Sequence, residues 1–239
     1  MTINLITFAS ILHKQVTIRS SHEAVLSELE KYFTVKFVDY RDIHQLTKDD
    51  FSIIFIATGG VERLVMQCFE SLPRPAIILA DGMQNSLAAA LEISSWLRGR
   101  GMKSEILHGD FMSIVQRIQV LYTNFKAQRS LVGLRIGVIG TPSSWLIASN
   151  VDYLLAKRRW GIEFIDIPME EIYCLYYQIT DDDIGYKASV LVKQAVACRE
   201  ATPEDFLKAM RLYKAVRIIC EKKHLDAVTL SCFSLIEKL

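Results

Sequence analysis

Ser52-Ile53-Ile54-Phe55-Ile56-Ala57-Thr58-Gly59-Gly60-Val61-Glu62 is the stretch that decides the fold class. A mostly apolar run without polar alternation is the pattern of a strand buried on both faces. Two glycines then break the run ahead of an acidic residue suited to a first helical turn. The stretch therefore reads as strand, tight turn and helix, the step from which a helix-covered parallel sheet is built.

The same step recurs in both directions. Short apolar runs predict further strands at Ile3 to Phe8, Val35 to Val38, Ala76 to Ala80, Ser104 to Leu107, Leu134 to Ile139, Glu163 to Ile167 and Ala227 to Leu230, besides Ser52 to Ala57. Helical periodicity fills the gaps. Ser20 and Glu23 form a capping-box pattern before a face of Val25, Leu29 and Phe33. Asn85 is placed to cap a helix turning Leu87, Leu91, Ser94 and Leu97 inward, with Gly99 and Gly101 at its end. After Asp110, one stripe holds Phe111, Val115, Ile118, Tyr122 and Phe125; Thr202, Pro203 and Asp205 supply an N-cap, a first-turn proline and a capping-box-like acid for another, which holds Phe206, Met210, Tyr213, Val216 and Cys220. Strand alternating with helix from end to end predicts an α/β protein of two successive Rossmann-like three-layer units with mainly parallel sheets. The amphipathic helix stops near Ser130 to Gly133, which predicts an N-terminal domain over 1–131 and a second over 132–239.

Composition agrees. The 239 residues exceed one typical domain, and 51% apolar content suffices for two cores. The 28 basic and 27 acidic residues nearly cancel and the cations are scattered, so nothing offers the basic stripe that nucleic acid requires. Residues 1–10 show neither a basic n-region nor a cleavage signal, and the apolar runs fall far short of the ~20 residues of a membrane span. The expectation is a cytoplasmic protein with no nucleic-acid or membrane partner. The five cysteines have no metal-ligand spacing and are expected to be reduced and mostly buried. No histidine among His13, His22, His44, His108 and His224 has a partner at ligand spacing; most read as surface groups or as groups backing a neighbour.

Ligands of parallel sheets bind beyond the carboxyl ends of the strands, so the loops there hold the candidates. Thr58-Gly59-Gly60 is either a tight strand-to-helix turn or a loop whose amides approach a ligand oxygen. Gly140-Thr141-Pro142-Ser143-Ser144-Trp145 offers hydroxyls and helix-start amides suited to gripping either sugar hydroxyls or an anion, and the flat face of Trp145 suited to a sugar's carbon skeleton. A dinucleotide reading fails there, because Gly137 and Gly140 do not extend to G-x-G-x-x-G and Pro142 lacks an amide donor. Asp166 then reads as a strand-end or turn residue. Cys232 ends the last strand, either as a buried thiol or as a group reaching a cleft. Asp181, Asp182 and Asp183 read as a solvated loop or helix cap, and Asp81-Gly82 and Gly109-Asp110 as turns.

Several of these segments together resemble the L-fucose isomerase-like family, including its shorter members related to L-arabinose isomerase. The resemblance rests on Leu134-Arg135-Ile136-Gly137-Val138-Ile139-Gly140, on Pro142 to Ser149, on Gly161 to Ile167 with Met169-Glu170-Glu171, and on Asp226 to Phe233. In the first half, Ala57 to Glu62 is similar to a family loop. The resemblance implies an aldose-ketose isomerase of carbohydrate metabolism, a divalent metal such as manganese bridging two sugar oxygens, an enediol route, and a homo-oligomer. The family's metal ligands fall beyond the position matching Leu239. This chain is therefore expected to be the N-terminal portion, inactive alone and truncated before a metal-bearing domain, with no catalytic or metal-ligating residue of its own. Ser144, Ser231 and Ser234 stand where the family pattern has Asp, Arg and Asp. Thr58, Gly59, Gly60, Ser143, Trp145, Ser149, Thr229 and Cys232 are the candidate sugar contacts. The alternative is a non-catalytic sugar-binding or regulatory module.

Overall fold

A computed structural model describes residues 1–10, 15–148, 150–236 and 238; His13, Ser149 and Leu239 lie outside the described residues. Two units emerge, Met1–Ala127 and Gln128–Leu239. The first runs β1 (Thr2–Phe8), α1 (Gln15–Ser21), α2 (Glu23–Tyr32), β2 (Thr34–Asp39), β3 (Ser52–Ile56), α3 (Glu62–Gln67), β4 (Ala76–Leu79), α4 (Ser86–Gly99), β5 (Ser104–Leu107) and α5 (Phe111–Leu131), whose last turn belongs to the second unit. The second continues with β6 (Arg135–Ile139), α6 (Tyr153–Trp160), β7 (Glu163–Ile167), α7 (Met169–Gln178), α8 (Asp181–Gln194), α9 (Pro203–Lys223), β8 (Ala227–Leu230) and α10 (Cys232–Ile236).

Both sheets are parallel, as the alternating pattern predicts. The first has the order β2-β1-β3-β4-β5, and the second, β7-β6-β8, repeats the β2-β1-β3 part of that order. In the first unit β3 sits centrally, and all five of its residues are buried between two apolar clusters, one on each face. That two-sided burial is why its sequence shows no alternation.

The second sheet is two-faced. Gly137, Ile139, Ile165, Ile167 and Leu230 lie on the face packed by α7, α8 and α9, where a Cβ on Gly137 would come within 2.6 Å of Leu225. The other face carries Val138, Phe164, Asp166 and Thr229 and is covered in part by α6, none of whose residues is buried. This half-open face follows from the period-2 geometry of strands combined with a single short helix over it.

Helix ends depart from expectation in places. Ser20 lies inside α1, and the N-cap of α2 is His22, so the predicted capping box does not form. Asn85 precedes α4 as expected but adopts a left-handed conformation, φ 59°, from which its side chain makes no cap bond. Small residues bring α4 close to its sheet. Its buried face is Ser86, Ala89, Ala90, Ile93, Ser94 and Leu97, and Leu91 points outward. Buried Ser94 is satisfied by Ser104, Oγ to Oγ 2.8 Å. On α9, Ala215 and Ile219 fill the core while Tyr213 faces solvent, although the Thr202–Asp205 capping box forms as predicted. Asp183 likewise completes a capping box with Thr180, which gives the acidic run its place in the first turn of α8. Among the described residues no helix is long and apolar enough to cross a membrane.

Candidate functional site

A cleft of about 690 Å³ lies at the carboxyl ends of β6, β7 and β8. Four of the predicted contacts, Ser143, Trp145, Thr229 and Cys232, line it. Ser149 falls outside the described residues. Trp145 and Phe233, 62% and 57% exposed, meet edge to face with centroids 5.4 Å apart, leaving apolar ring surface toward the cleft.

The loop that carries Ser143 and Trp145 is irregular rather than the start of a helix. The next helix, α6, begins only at Tyr153, and its N-cap Asp152 accepts from the Leu155 amide at 2.8 Å. Helix-start amides are thus absent at Ser143 and Ser144, and of the groups expected to make contacts there the hydroxyls and the Trp145 ring remain. Gly140 anchors the loop. Its N–H donates to the Ile167 carbonyl at 2.9 Å, its φ is +82°, and a Cβ there would stand 2.9 Å from both Met169 Sδ and Ser231 Cβ. Ser231 and Ser234 pair through their hydroxyls at 3.1 Å.

Also in the lining, the Tyr153 ring stacks on Phe164 at 4.8 Å and its hydroxyl donates to Asp166 Oδ1 at 2.8 Å. The carboxylate holds the Tyr153 phenol above its ordinary pKa, through that hydrogen bond first and through desolvation and charge after it. Tyr153, Phe164 and Asp166 were not among the residues picked from the sequence. The available signal was the i, i+2 spacing of Phe164 and Asp166 on one strand, which puts both on the same face.

In the first unit, the Thr58-Gly59-Gly60 turn follows β3. The Thr58 hydroxyl accepts from the Ser10 amide at 2.8 Å and donates to the Gly59 carbonyl at 3.1 Å, while the Gly59 N–H donates to Gln84 O at 2.8 Å. A Cβ on Gly59 would stand 3.1 Å from Asn85 Cβ. Glycine thus allows the turn to approach the loop after β4, and two of its polar groups tie neighbouring loops together.

His22, among the histidines read as surface groups or as groups backing a neighbour, is of the second kind: it is 1% exposed, its ring meets Phe55 edge to face, and its Nδ1–H donates to Asp81 Oδ2 at 2.5 Å. Burial raises the Asp81 pKa, but the bonds from His22, the Met83 amide and Ser86, with the His22 charge, outweigh it and leave the carboxyl below its ordinary value. A carboxylate with a lowered folded-state pKa stabilises the fold fully above its unfolded value, about 3.9, and loses that contribution as pH falls through the folded value. Asp81→Asn is therefore expected to cost roughly 2 kcal/mol at neutral pH, with the gap to the parent closing below about pH 4. Urea melts across pH 2 to 7, plotted as parent minus variant, check this; a pH-independent difference would contradict it.

The cysteines differ from expectation as a group. Cys68 and Cys220 are half-buried, and Cys174, Cys198 and Cys232 are exposed, since they fall on outward helix faces, a loop and the cleft rim. Burial pushes the Cys68 thiol up. Cys232 is the reaching thiol rather than the buried one.

The divalent metal implied by the resemblance does not fit these residues. The described cleft lining offers one carboxylate, Asp166, already engaged by Tyr153, one thiol and no imidazole. Among the described residues no group of three His, Cys, Asp or Glu side chains converges as a metal site requires. Compared with known proteins, the chain matches no family model and no curated sequence.

Proposed function

We propose that this chain is the sugar-binding portion of an aldose-ketose isomerase of the L-fucose and L-arabinose type, acting in cytosolic carbohydrate metabolism as a homo-oligomer. The observation that carries this is the cleft at the carboxyl edge of β6, β7 and β8, where aromatic faces stand beside the hydroxyls of Ser143 and Thr229. Sugars present that duality, apolar C–H faces and a rim of hydroxyls, and open sheet ends are where such ligands sit. The carboxylates and imidazole that would hold a metal and move the proton belong, in this reading, to polypeptide outside these 239 residues. A second reading, a sugar-binding or regulatory module without catalysis, draws support from the cleft's poverty in metal-ligating groups.

Calorimetry of neutral pentoses and 6-deoxyhexoses in chelator tests the shared core of both readings. Binding is expected, and Trp145→Ala is expected to weaken it about fivefold to tenfold through loss of the ring face. Unchanged affinity in that variant would remove the cleft from the account. Manganese-stimulated isomerisation by a longer natural protein carrying this chain supports the isomerase. Isomerisation by the 239 residues alone would overturn the division of labour proposed here.

A further inference from the structure

The floor of the cleft is a row of three register partners. Val138 pairs with Asp166 on one side and with Thr229 on the other, so the three side chains stand on one face of the sheet. All three line the cleft. With strands about 4.8 Å apart, Asp166 and Thr229 are separated by roughly 10 Å across an apolar centre. Asp166 is exposed, and Tyr153, itself clamped by stacking on Phe164, donates to one of its oxygens. Among the described residues nothing donates to the other oxygen. The described lining contains no Lys, Arg or His, and Asp166 is the one formal charge among its described residues.

We propose that Asp166 is the specificity-determining residue of this cleft, accepting hydrogen bonds from hydroxyls of an uncharged sugar whose far end meets Thr229, and rejecting phosphorylated sugars by like-charge repulsion. This rests on the sugar-binding reading above. An ionised carboxylate held in place by Tyr153 accepts from hydroxyls more strongly than a neutral group does. A phosphate in the same cleft would meet that charge with no cation to offset it. Val138 gives the carbon skeleton an apolar seat between the two polar ends.

Calorimetry in chelator tests this with pentoses and 6-deoxyhexoses and their phosphate monoesters, on the parent, D166N, T229V and W145A, each first checked for native near-ultraviolet circular dichroism. The parent is expected to favour a neutral sugar over its phosphate by about tenfold or more. D166N is expected to lose about tenfold on the neutral sugar and to bring the neutral-to-phosphate ratio close to one. T229V should weaken the neutral sugar by a few-fold and W145A by more, both leaving the ratio in place, which separates charge selection from general loss of packing. A folded D166N with the parent's affinity and ratio overturns the assignment while sugar binding stands. A parent that binds phosphates as tightly as neutral sugars also overturns it. A parent that binds no sugar removes the sugar-binding reading, and this assignment with it.

Discussion

Gly140→Ala is expected to destabilise the second unit by about 3 kcal/mol and to abolish ligand binding in the cleft. Two costs add. An L-residue at φ +82° is strained by about 1–2 kcal/mol, and a Cβ there overlaps Met169 and Ser231, an overpacking that costs roughly 1–3 kcal/mol more. Little relief is available. The Gly140 N–H is bonded to Ile167 O and the Ser231 N–H to Ile139 O, so both chains crossing this point are held by the ladder. Because Ser231 lies between Thr229 and Cys232 and Phe233, a shift there moves most of one cleft wall. Trp145 and Trp160 lie in this unit and Trp96 in the first, so urea melts followed by tryptophan fluorescence in a Trp96→Phe background, beside a sugar titration, read the two effects. A variant as stable as the parent would show that the loop can relax around a side chain.

Phe55→Ala is expected to cost the first unit about 4 kcal/mol, the range for removing a fully buried phenyl ring. Phe55 is 0% exposed in the central strand, and its ring packs edge to face with that of His22, which is hydrogen-bonded to Asp81. Truncation therefore leaves both a cavity and an imidazole without its apolar wall. Amide hydrogen exchange along β3 measures the loss, since the most buried strand opens only with the whole unit. Protection of Ile54 and Ile56 unchanged from the parent would mean that neighbouring side chains close the cavity.

The strands were legible in the sequence because their signal is local. Ser104 to Leu107, Glu163 to Ile167 and Ala227 to Leu230 match the observed strands residue for residue, each bounded by turn or charged residues that end the apolar run. Helix faces were less legible where size mattered more than hydropathy. Leu91 and Tyr213 fit a helical stripe, yet Ala89, Ala90 and Ala215 take the buried places, because small side chains let a helix approach its neighbour closely. Caps divided the same way. The capping box at Thr202 needs only four consecutive residues, whereas the place of Ser20 depends on where α1 stops.

Ser143, Trp145, Thr229 and Cys232 could be chosen from sequence because loops after parallel strands are where ligands bind. Asp166 could not, since its role depends on the register that sets it in line with Val138 and Thr229 and on the Tyr153 hydroxyl arriving from a different element. His22 and Asp81, 59 positions apart, are a pair for the same reason.

Apolar runs, turn glycines and capping residues, read along the chain, were enough by themselves to determine the α/β class, the eight strands and the loops that hold the cleft. Tertiary structure alone decided which face of β6, β7 and β8 stays open and which distant polar groups meet there. Periodicity is a property of neighbours along the chain, whereas strand register and helix placement arise only when the backbone closes over long separations.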